Sequence, residues 1–256
     1  MRDPDLAFEA LRDAHVAALT GSLIDGVEHG PGGAGYVWSR AIPDPTLNFA
    51  YGVRRPEQFA WAGAAALGRG RAPAFLARDA EEVALLSRLF EPAIRYPACW
   101  MVARPLPVRP PDGAVTVRVA PAPGPDFDGV FANLSDDPAV RTHLRRHYLP
   151  ALRAARARPG LTPIHLVLRD ATGPAACASL YLRGDTAGLY NVSTRADRQR
   201  RGLGAAVTAA ALREARARGA AQVFLQCPAG GAVEALYVRA GFRAICAPVL
   251  LCTSPP

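Results

Sequence analysis

The sequence predicts an α/β protein in which strands and helices alternate along the chain around a mixed sheet. Three observations lead to this class: apolar runs with a period of two residues, Ala/Leu/Arg-rich runs with helical spacing, and glycine or proline at the breaks between them. Some strands follow one another through tight turns and others through helices. This indicates a mixed sheet with helices on its faces, an α/β or α+β fold.

The second half of the chain carries the clearer pattern. Strands are predicted at 115–119, 164–168, 176–182, 187–193, 222–227 and 245–252, with a tight turn at 170–174. Helices are predicted at 126–134, 138–158, 203–218 and 232–240. Gly219 and Gly241 follow the last two helices, and glycine is the residue that most often ends a helix.

The first half is predicted to be a smaller α/β domain. Helices are expected at 15–24, 56–67 and 81–90, and strands at 48–53, 73–77 and 99–103. Four prolines within 104–113 favour an extended connection, because proline neither continues a helix nor donates to a sheet. We therefore divide the chain into a domain at 1–104, a linker at 105–114 and a domain at 115–256.

An internal comparison suggests that the first domain is a copy of the second. Segment 83–94 aligns with segment 234–245 with five identical residues. A chance match is the alternative, since the chain is rich in alanine, leucine and arginine.

The composition is that of a soluble globular protein, with 50% hydrophobic and 20% charged residues. No apolar run is long enough to suggest a membrane span, and the first residues lack the apolar core of a signal peptide. The five cysteines contain no C-x-x-C pair. We expect reduced cysteines and a cytoplasmic location.

The absence of lysine excludes several classes of function. All 30 basic residues are arginine, so Schiff-base chemistry, pyridoxal phosphate and the P-loop lack their lysine. Such a bias reflects overall composition, and nucleic-acid binding is not expected from it. The net charge is −1 before residue 109 and +9 from there on, which places the basic half where an anionic cofactor would bind.

A glycine-containing loop at 199–204 separates the strand at 187–193 from the helix at 203–218. Gly202 and Gly204 would let an anion approach the free N–H groups at the helix start. The dinucleotide fingerprint fails because Val207 stands where the pattern requires a third glycine or alanine, and no acid occurs on the next strand. The P-loop fails on its missing lysine.

The Q/R-x-x-G-x-G/A pattern at 199–204 resembles the loop of the GNAT family, acyl-coenzyme A-dependent N-acetyltransferases. Leu236-Tyr237 and Gly241-Phe242 follow in the order that the family shows, and the similarity covers about 115–252. It implies a mostly antiparallel central sheet flanked by helices. Gly230 stands where the family often has asparagine. No such loop occurs before residue 104, so the first half resembles the degenerate copy of tandem members.

The resemblance also implies the site. The pyrophosphate of acetyl-CoA (coenzyme A) would lie on the loop and its pantetheine arm along the strand at 189–194. The residues implied in this binding are Asn191, Val192, Thr194, Gln199, Arg200, Arg201, Gly202, Leu203, Gly204 and Ala205. Tyr237 is the expected catalytic acid, because a phenol can protonate a leaving thiolate; a core tyrosine is the alternative. No metal is expected.

Several other side chains stay open. The general base could be Asp185, His165, Tyr190, Ser193 or a chain of waters. His143 and His147 lie one helical turn apart, but a zinc protease would need glutamate where Leu144 stands, so a solvated face is expected. The same interpretation applies to the arginines at 141, 145, 146, 153, 156 and 158, with a basic surface as the alternative. Trp38, Trp61 and Trp100 are expected in the core.

The expected function is transfer of an acyl group, with acetyl as the expected group, from acyl-CoA to a primary amine. The transfer would be direct, in a ternary complex. The alternatives are a non-catalytic acyl-CoA-binding regulator and an arginine-rich interaction module. The acceptor, a small-molecule or peptide amine, stays unidentified, as do the acyl chain length and whether the chain forms a homodimer.

Overall fold

The computed structural model describes residues 4–104, 116–155 and 157–253, which fall into two compact units. The first unit contains the described residues of Met1–Trp100, Cys227–Gly231 and Ala244–Pro256. The second contains those of Met101–Gln226 and Ala232–Arg243. The predicted linker at 105–114 lies outside the described residues.

The first unit is built on a sheet whose elements come mostly from the first half of the chain. In chain order they are α1 (Pro4–Leu19), β1 (Gly26–His29), β2 (Gly35–Trp38), β3 (Phe49–Tyr51), α2 (Pro56–Leu67), β4 (Ala74–Ala77), α3 (Ala80–Leu89) and β5 (Ile94–Ala103). Strands β1, β2 and β3 pair antiparallel, and β4 pairs parallel with β3. The predicted helix at 15–24 begins earlier and ends at Leu19, and β1 and β2 were not predicted.

Local sequence explains the helix starts in this unit. Pro56 opens α2, where a missing N–H removes no intrahelical bond. Asp79 caps α3 by accepting the N–H of Glu82 at 2.9 Å. The core packs Tyr36 and Phe75 against the alanine face of α2. Trp100 is buried, and Trp38 and Trp61 pack against this core, as predicted.

The second unit contains the larger set of paired strands. Its elements are β6 (Thr116–Ala120), α4 (Pro125–Phe131), α5 (Pro138–His143), a π-helical turn (Leu144–Tyr148), α6 (Leu149–Ala154), β7 (Thr162–Asp170), β8 (Gly173–Arg183), β9 (Thr186–Thr194), α7 (Leu203–Ala217), β10 (Gln222–Pro228) and α8 (Gly231–Arg239). Strands β6 to β9 form an antiparallel meander, and β10 pairs parallel with β9. The mixed, mostly antiparallel sheet confirms the predicted fold class. The single helix predicted at 138–158 is interrupted by the π-helical turn and ends at Ala154.

The last predicted strand is two strands. β11 (Arg243–Cys246) and β12 (Val249–Cys252) are separated at Pro248, which has no N–H to donate to a ladder. β12 lies between β4 and β5 and pairs antiparallel with both, over Ala74–Ala77 and Ile94–Pro97. The compact units therefore do not follow the chain as the predicted boundaries do.

The two units repeat one order of elements. In the first, α2 joins the parallel strands β3 and β4, and α3 follows; in the second, α7 joins β9 and β10, and α8 follows. The aligned segments 83–94 and 234–245 run from α3 into β5 and from α8 into β11, so they occupy corresponding elements. Among the described residues, no helix has both the length and the apolar character needed to cross a membrane.

Candidate active site

A β-bulge interrupts strand β9 at Asn191. Tyr190 pairs with Ser179 and Ser193 pairs with Cys177, so Asn191 and Val192 together oppose one residue of β8. Asn191 has a φ of +54°, in the left-handed region that asparagine tolerates better than most side chains. A bulge bends its strand and changes the direction of the backbone groups beside it.

Beyond Gly188, strand β9 no longer pairs with its parallel neighbour β10. The ladder to β10 runs from Gln222 paired with Thr186 to Phe224 paired with Gly188, whereas β9 continues to Thr194. Strand residues beyond the ladder present N–H and C=O groups to an extended ligand, as an exposed sheet edge does. The residues predicted to contact the pantetheine arm, Asn191, Val192 and Thr194, all lie on this segment.

The loop after β9 presents a row of backbone donors. Gly202 is the N-terminal cap of α7, with a φ of +76° and no side-chain capping bond, and Arg200 has a φ of +63°. Within the described part of the chain, no protein group accepts the N–H groups of residues 200–205. Leu203 is buried, so it offers only its backbone, whereas Ala205 is exposed. Free N–H groups and the helix dipole favour an anion here.

The Gln199 side chain holds the loop rather than facing a ligand. Its Nε2 donates to the carbonyl oxygens of Leu134 at 2.9 Å and Thr194 at 3.4 Å. The N–H of Ala196 donates to Asn133 O at 2.9 Å, which adds a second link to the segment after α4. The side chain of Gln199, one of the predicted cofactor contacts, is thus already engaged by the protein.

Some arginines beside the loop form ion pairs within the protein, and others do not. Arg198 bonds both carboxylate oxygens of Asp170, in the turn between β7 and β8, at 2.9 and 3.1 Å. Arg195 pairs with Asp197 at 3.0 Å. Arg200 and Arg201 are exposed, and no acid among the described residues pairs with them. The hydrogen bonds from Thr172, and then Arg198, lower the pKa of Asp170 to about 2, so this link stays charged.

The Leu-Tyr pair of α8 packs beside the start of α7. A Cβ added to Gly204 would lie 3.3 Å from Leu236 Cδ1 and 3.6 Å from Thr194 Oγ1, so glycine permits this close approach. The next residue, Tyr237, is 8% exposed. Its ring meets that of Phe242 edge-on at 5.8 Å, and its carbonyl accepts the N–H of Phe242. The structure therefore brings the predicted Leu-Tyr and Gly-Phe pairs together at the loop.

The four side chains considered as general base do not lie together. Asp185 is in the turn before β9, at the opposite end of that strand from Thr194. His165 on β7 and Tyr190 on β9 lie on either side of Ser179, and Ser193 pairs with Cys177 beyond the bulge. Burial lowers the pKa of His165 to about 4, and desolvation raises the pKa of Tyr190 well above its usual value. Neither residue is poised to exchange a proton near neutral pH.

The histidines and arginines of residues 141–158 differ in the groups that they contact. The rings of His143 and His147 are 5.1 Å apart, and the part of the chain that the structure describes contains no set of three side chains that could hold a metal ion. Arg141 pairs with Asp136 and Arg153 with Asp128. Arg156 lies outside the described residues. Acidic residues from neighbouring segments therefore pair with two of these arginines.

The counterpart of the loop in the first unit offers fewer backbone donors. At the start of α2, Gln58 Oε1 accepts the N–H of Arg54 at 2.7 Å, and Pro56 has no N–H to offer. Gln58 Nε2 donates to Pro31 O at 3.0 Å, which fixes the side chain in this position. Two donors at this helix start are therefore not available to an anion: the N–H of Arg54 is engaged, and Pro56 has none.

A family model for the acetyltransferase (GNAT) family matches residues 131–242, which cover the bulge, the loop and the Leu-Tyr helix. Residues 131–242 belong to the GNAT family. This part of the chain is an N-acetyltransferase domain, as the resemblance implied.

Solved structures place the whole chain in the same fold as GNAT proteins. A GCN5-related N-acetyltransferase from Kribbella flavida aligns with a TM-score of 0.66 at 18% identity, over 96% of each chain. A tandem GNAT protein from the clavulanic acid biosynthesis pathway aligns with a TM-score of 0.58 at 13% identity, over 100% of this chain and 97% of that one. A GCN5-related N-acetyltransferase from Sphaerobacter thermophilus aligns with a TM-score of 0.57 at 15% identity, over 96% of this chain and 85% of that one. No curated protein sequence matches the chain.

The bulge, the Asp170–Arg198 link and the role of the Gln199 side chain were missed by sequence reasoning. The one signal for the bulge was an asparagine in the middle of an otherwise strand-like run. The link from Arg198 to Asp170 joins residues 28 positions apart, and no local pattern indicates such a pair.

Proposed function

We propose that the GNAT domain transfers an acyl group from acetyl-CoA to a primary amine by direct attack within a ternary complex. One observation carries this proposal. An unpaired strand edge with a bulge at Asn191 leads directly into free N–H groups at residues 200–205. This continuous path suits a ligand with an amide-containing arm and a pyrophosphate at its end.

The residues that would hold acetyl-CoA divide along its length. The N–H groups of residues 200–205 would bind the pyrophosphate, and Arg200 and Arg201 would add charge from outside. Val192 and Thr194 would pair with the pantetheine amides through their backbones. When bound, acetyl-CoA supplies a thioester whose carbonyl carbon is open to attack by an amine.

Two groups of the chain would act on the reacting atoms. A backbone N–H at Asn191 or Val192, redirected by the bulge, would stabilise the negative charge that develops on the carbonyl oxygen. The Tyr237 hydroxyl would protonate the departing thiolate. Packing against Phe242 holds the Tyr237 ring in one orientation, as a proton donor requires.

A route through a covalent acyl-enzyme is disfavoured at the nearest thiol. Cys177 is opposite the bulge, with its Sγ 3.8 Å from Asn191 O, but it is fully buried. Burial raises the pKa of the Cys177 thiol, which keeps it protonated and poorly nucleophilic. Direct attack by the amine is the simpler mechanism.

The first unit would serve as a scaffold rather than as a second active site. It repeats the strand–helix–strand order of the GNAT domain, but at its helix start Pro56 has no N–H and the Gln58 side chain accepts that of Arg54. We therefore propose that it is a degenerate copy and that each chain binds one acetyl-CoA. Isothermal titration with acetyl-CoA tests this, since a stoichiometry of two per chain would contradict it.

Tyr237→Phe tests the catalytic role. Turnover, measured as thiol release from acetyl-CoA across a panel of primary amines, should fall by about 100-fold. The dissociation constant for CoA should stay within about twofold, because the loop is untouched. Tyr96→Phe is the matched control, because it removes the same hydroxyl from a tyrosine of the first unit that is 39% exposed.

Other outcomes favour other functions. CoA binding without thiol release from any amine would support a non-catalytic acyl-CoA regulator. Retention on DNA that falls steeply with salt and ignores CoA would support an arginine-rich interaction module.

A further inference from the structure

A chain of buried polar side chains runs across three strands to the bulge. His165 Nδ1 on β7 is 2.9 Å from Ser179 Oγ on β8, and Asn191 Nδ2 on β9 donates to the same oxygen at 3.2 Å. His165 is 2% exposed and Ser179 is 0% exposed. Asn191 is the only one of the three that lies on the proposed path of the cofactor.

Aromatic rings surround the inner end of this chain. The Phe127 ring of α4 meets the His165 ring edge-on at 5.2 Å, and Tyr181 does so at 6.3 Å. Within the described residues, His165 Nε2 is buried without a hydrogen-bond partner. Burying polar groups among aromatic rings is unfavourable, and a buried nitrogen without a hydrogen-bond partner adds to the cost. We therefore expect these three polar side chains to have a role beyond packing.

The backbone conformation of the bulge indicates what these hydrogen-bonded side chains stabilise. A left-handed conformation is less favourable than a right-handed one for a residue with a side chain, by about 1–2 kcal/mol, and asparagine is among the few that adopt it routinely. The bond from Asn191 Nδ2 to Ser179 fixes the side chain while the backbone takes its φ of +54°. His165 in turn fixes the Ser179 hydroxyl.

We infer that His165 and Ser179 are positioning residues that hold Asn191 in the left-handed conformation and so orient the bulge N–H groups toward the reacting carbonyl. This inference rests on the proposed function, since it assigns the bulge a part in catalysis. Neither His165 nor Ser179 needs to touch a substrate. Their effect would pass through the Asn191 side chain.

A double-mutant cycle tests this dependence. In the natural background, Ser179→Ala should lower kcat by about tenfold and leave the dissociation constant for CoA within about twofold, because the loop at 200–205 is unchanged. In an Asn191→Gly background the same Ser179→Ala should lower kcat by less than about twofold. Glycine has no side chain to anchor and adopts the left-handed conformation freely.

The result that overturns the inference is an equal loss of kcat in both backgrounds, which a purely structural Ser179 would give. Urea unfolding of all four proteins separates any loss of folded protein from a loss of rate. Ser179→Cys is the second variant if Ser179→Ala fails to fold. Because a thiol bonds weakly, Ser179→Cys should lower kcat in the natural background and lower it by less than about twofold in the Asn191→Gly background, and an equal loss in both would overturn the inference.

Amide hydrogen exchange gives a readout that needs no turnover. Ser179→Ala should speed exchange at residues 189–194 in the natural background and add little in the Asn191→Gly background. If no amine is acetylated by the wild-type chain, the proposed function fails, while exchange still decides whether Ser179 positions the bulge. Unchanged exchange at 189–194 in the natural background would contradict the positioning role.

Discussion

Gly188 lies at the point where β9 and β10 part, and adding one methyl group there should destabilise the GNAT domain. It is the last residue of β9 paired with β10, opposite Phe224. A Cβ at this position would lie 2.4 Å from Tyr190 Cε2, 2.9 Å from Tyr190 Oη and 2.9 Å from Phe224 Cζ. Gly188→Ala therefore cannot be accommodated unless both rings move.

The size of the effect follows from these distances. Non-bonded carbon atoms pack best at about 3.5–4.0 Å, so the Tyr190 ring must retreat by about 1 Å. The Tyr190 and Phe224 rings already meet edge-on at 6.2 Å, and Tyr190 also packs against Tyr181 at 5.7 Å. Overpacking of this kind costs about 1–3 kcal/mol of unfolding free energy. It would also displace Tyr190 beside the bulge, so kcat should fall as well.

Gly129→Ala is the matched control, because it adds the same methyl group within the same unit. Gly129 is inside α4, and a Cβ there meets nothing within 4 Å. Alanine in a helix interior is favoured over glycine by about 0.5–1 kcal/mol, so this variant should gain stability. Urea unfolding followed by far-ultraviolet circular dichroism measures both changes. A Gly188→Ala protein that unfolds at the wild-type urea concentration, or a shift of both variants in one direction, would refute the packing argument.

Three further predictions concern the loop and the buried imidazoles. Gly202→Ala should raise the dissociation constant for CoA by about tenfold, because a side chain at a φ of +76° is strained and stands where the anion would lie. Gly160→Ala is the control: its φ is +77°, but it lies in a turn outside the loop, so CoA binding should be unchanged. Arg198→Gln should free the loop from the β7–β8 turn and weaken CoA binding by up to about fivefold in calorimetry, while Arg218→Gln, which breaks an exposed pair at the end of α7, should have no effect. Because burial lowers the pKa of both His15 and His165 from 6.5 to about 4, the unfolded chain binds these protons first, and stability should fall as the pH drops from 7 toward 4. The loss is at most about 3 kcal/mol for each histidine, and a urea midpoint independent of pH over this range would contradict it.

The second half of the fold could be predicted well because its signals are local. Gly202 and Gly219 mark the two ends of α7, and the structure places that helix at Leu203–Ala217. The turn at 170–174 is confirmed, where Asp170 Oδ1 accepts the N–H of Thr172 at 2.8 Å. Resemblance added the order of the remaining elements.

The parts that were missed depend on contacts between distant residues. β1 and β2 are four-residue strands with glycine at their starts, so their alternation is too short to detect. The position of β12 between β4 and β5 depends on pairing across more than 150 residues. The bulge adds one residue to a period of two, and only its partner strand reveals where.

The place of β12 has a consequence for how the chain folds as it is made. Residues 249–252 close the gap between β4 and β5, so the first unit cannot complete its sheet until the whole GNAT domain has left the ribosome. Until then the facing edges of β4 and β5 stay open to wrong partners, and the closing contacts are of high contact order. The GNAT domain is therefore made between two parts of the first unit, and the first unit is the last to complete its sheet.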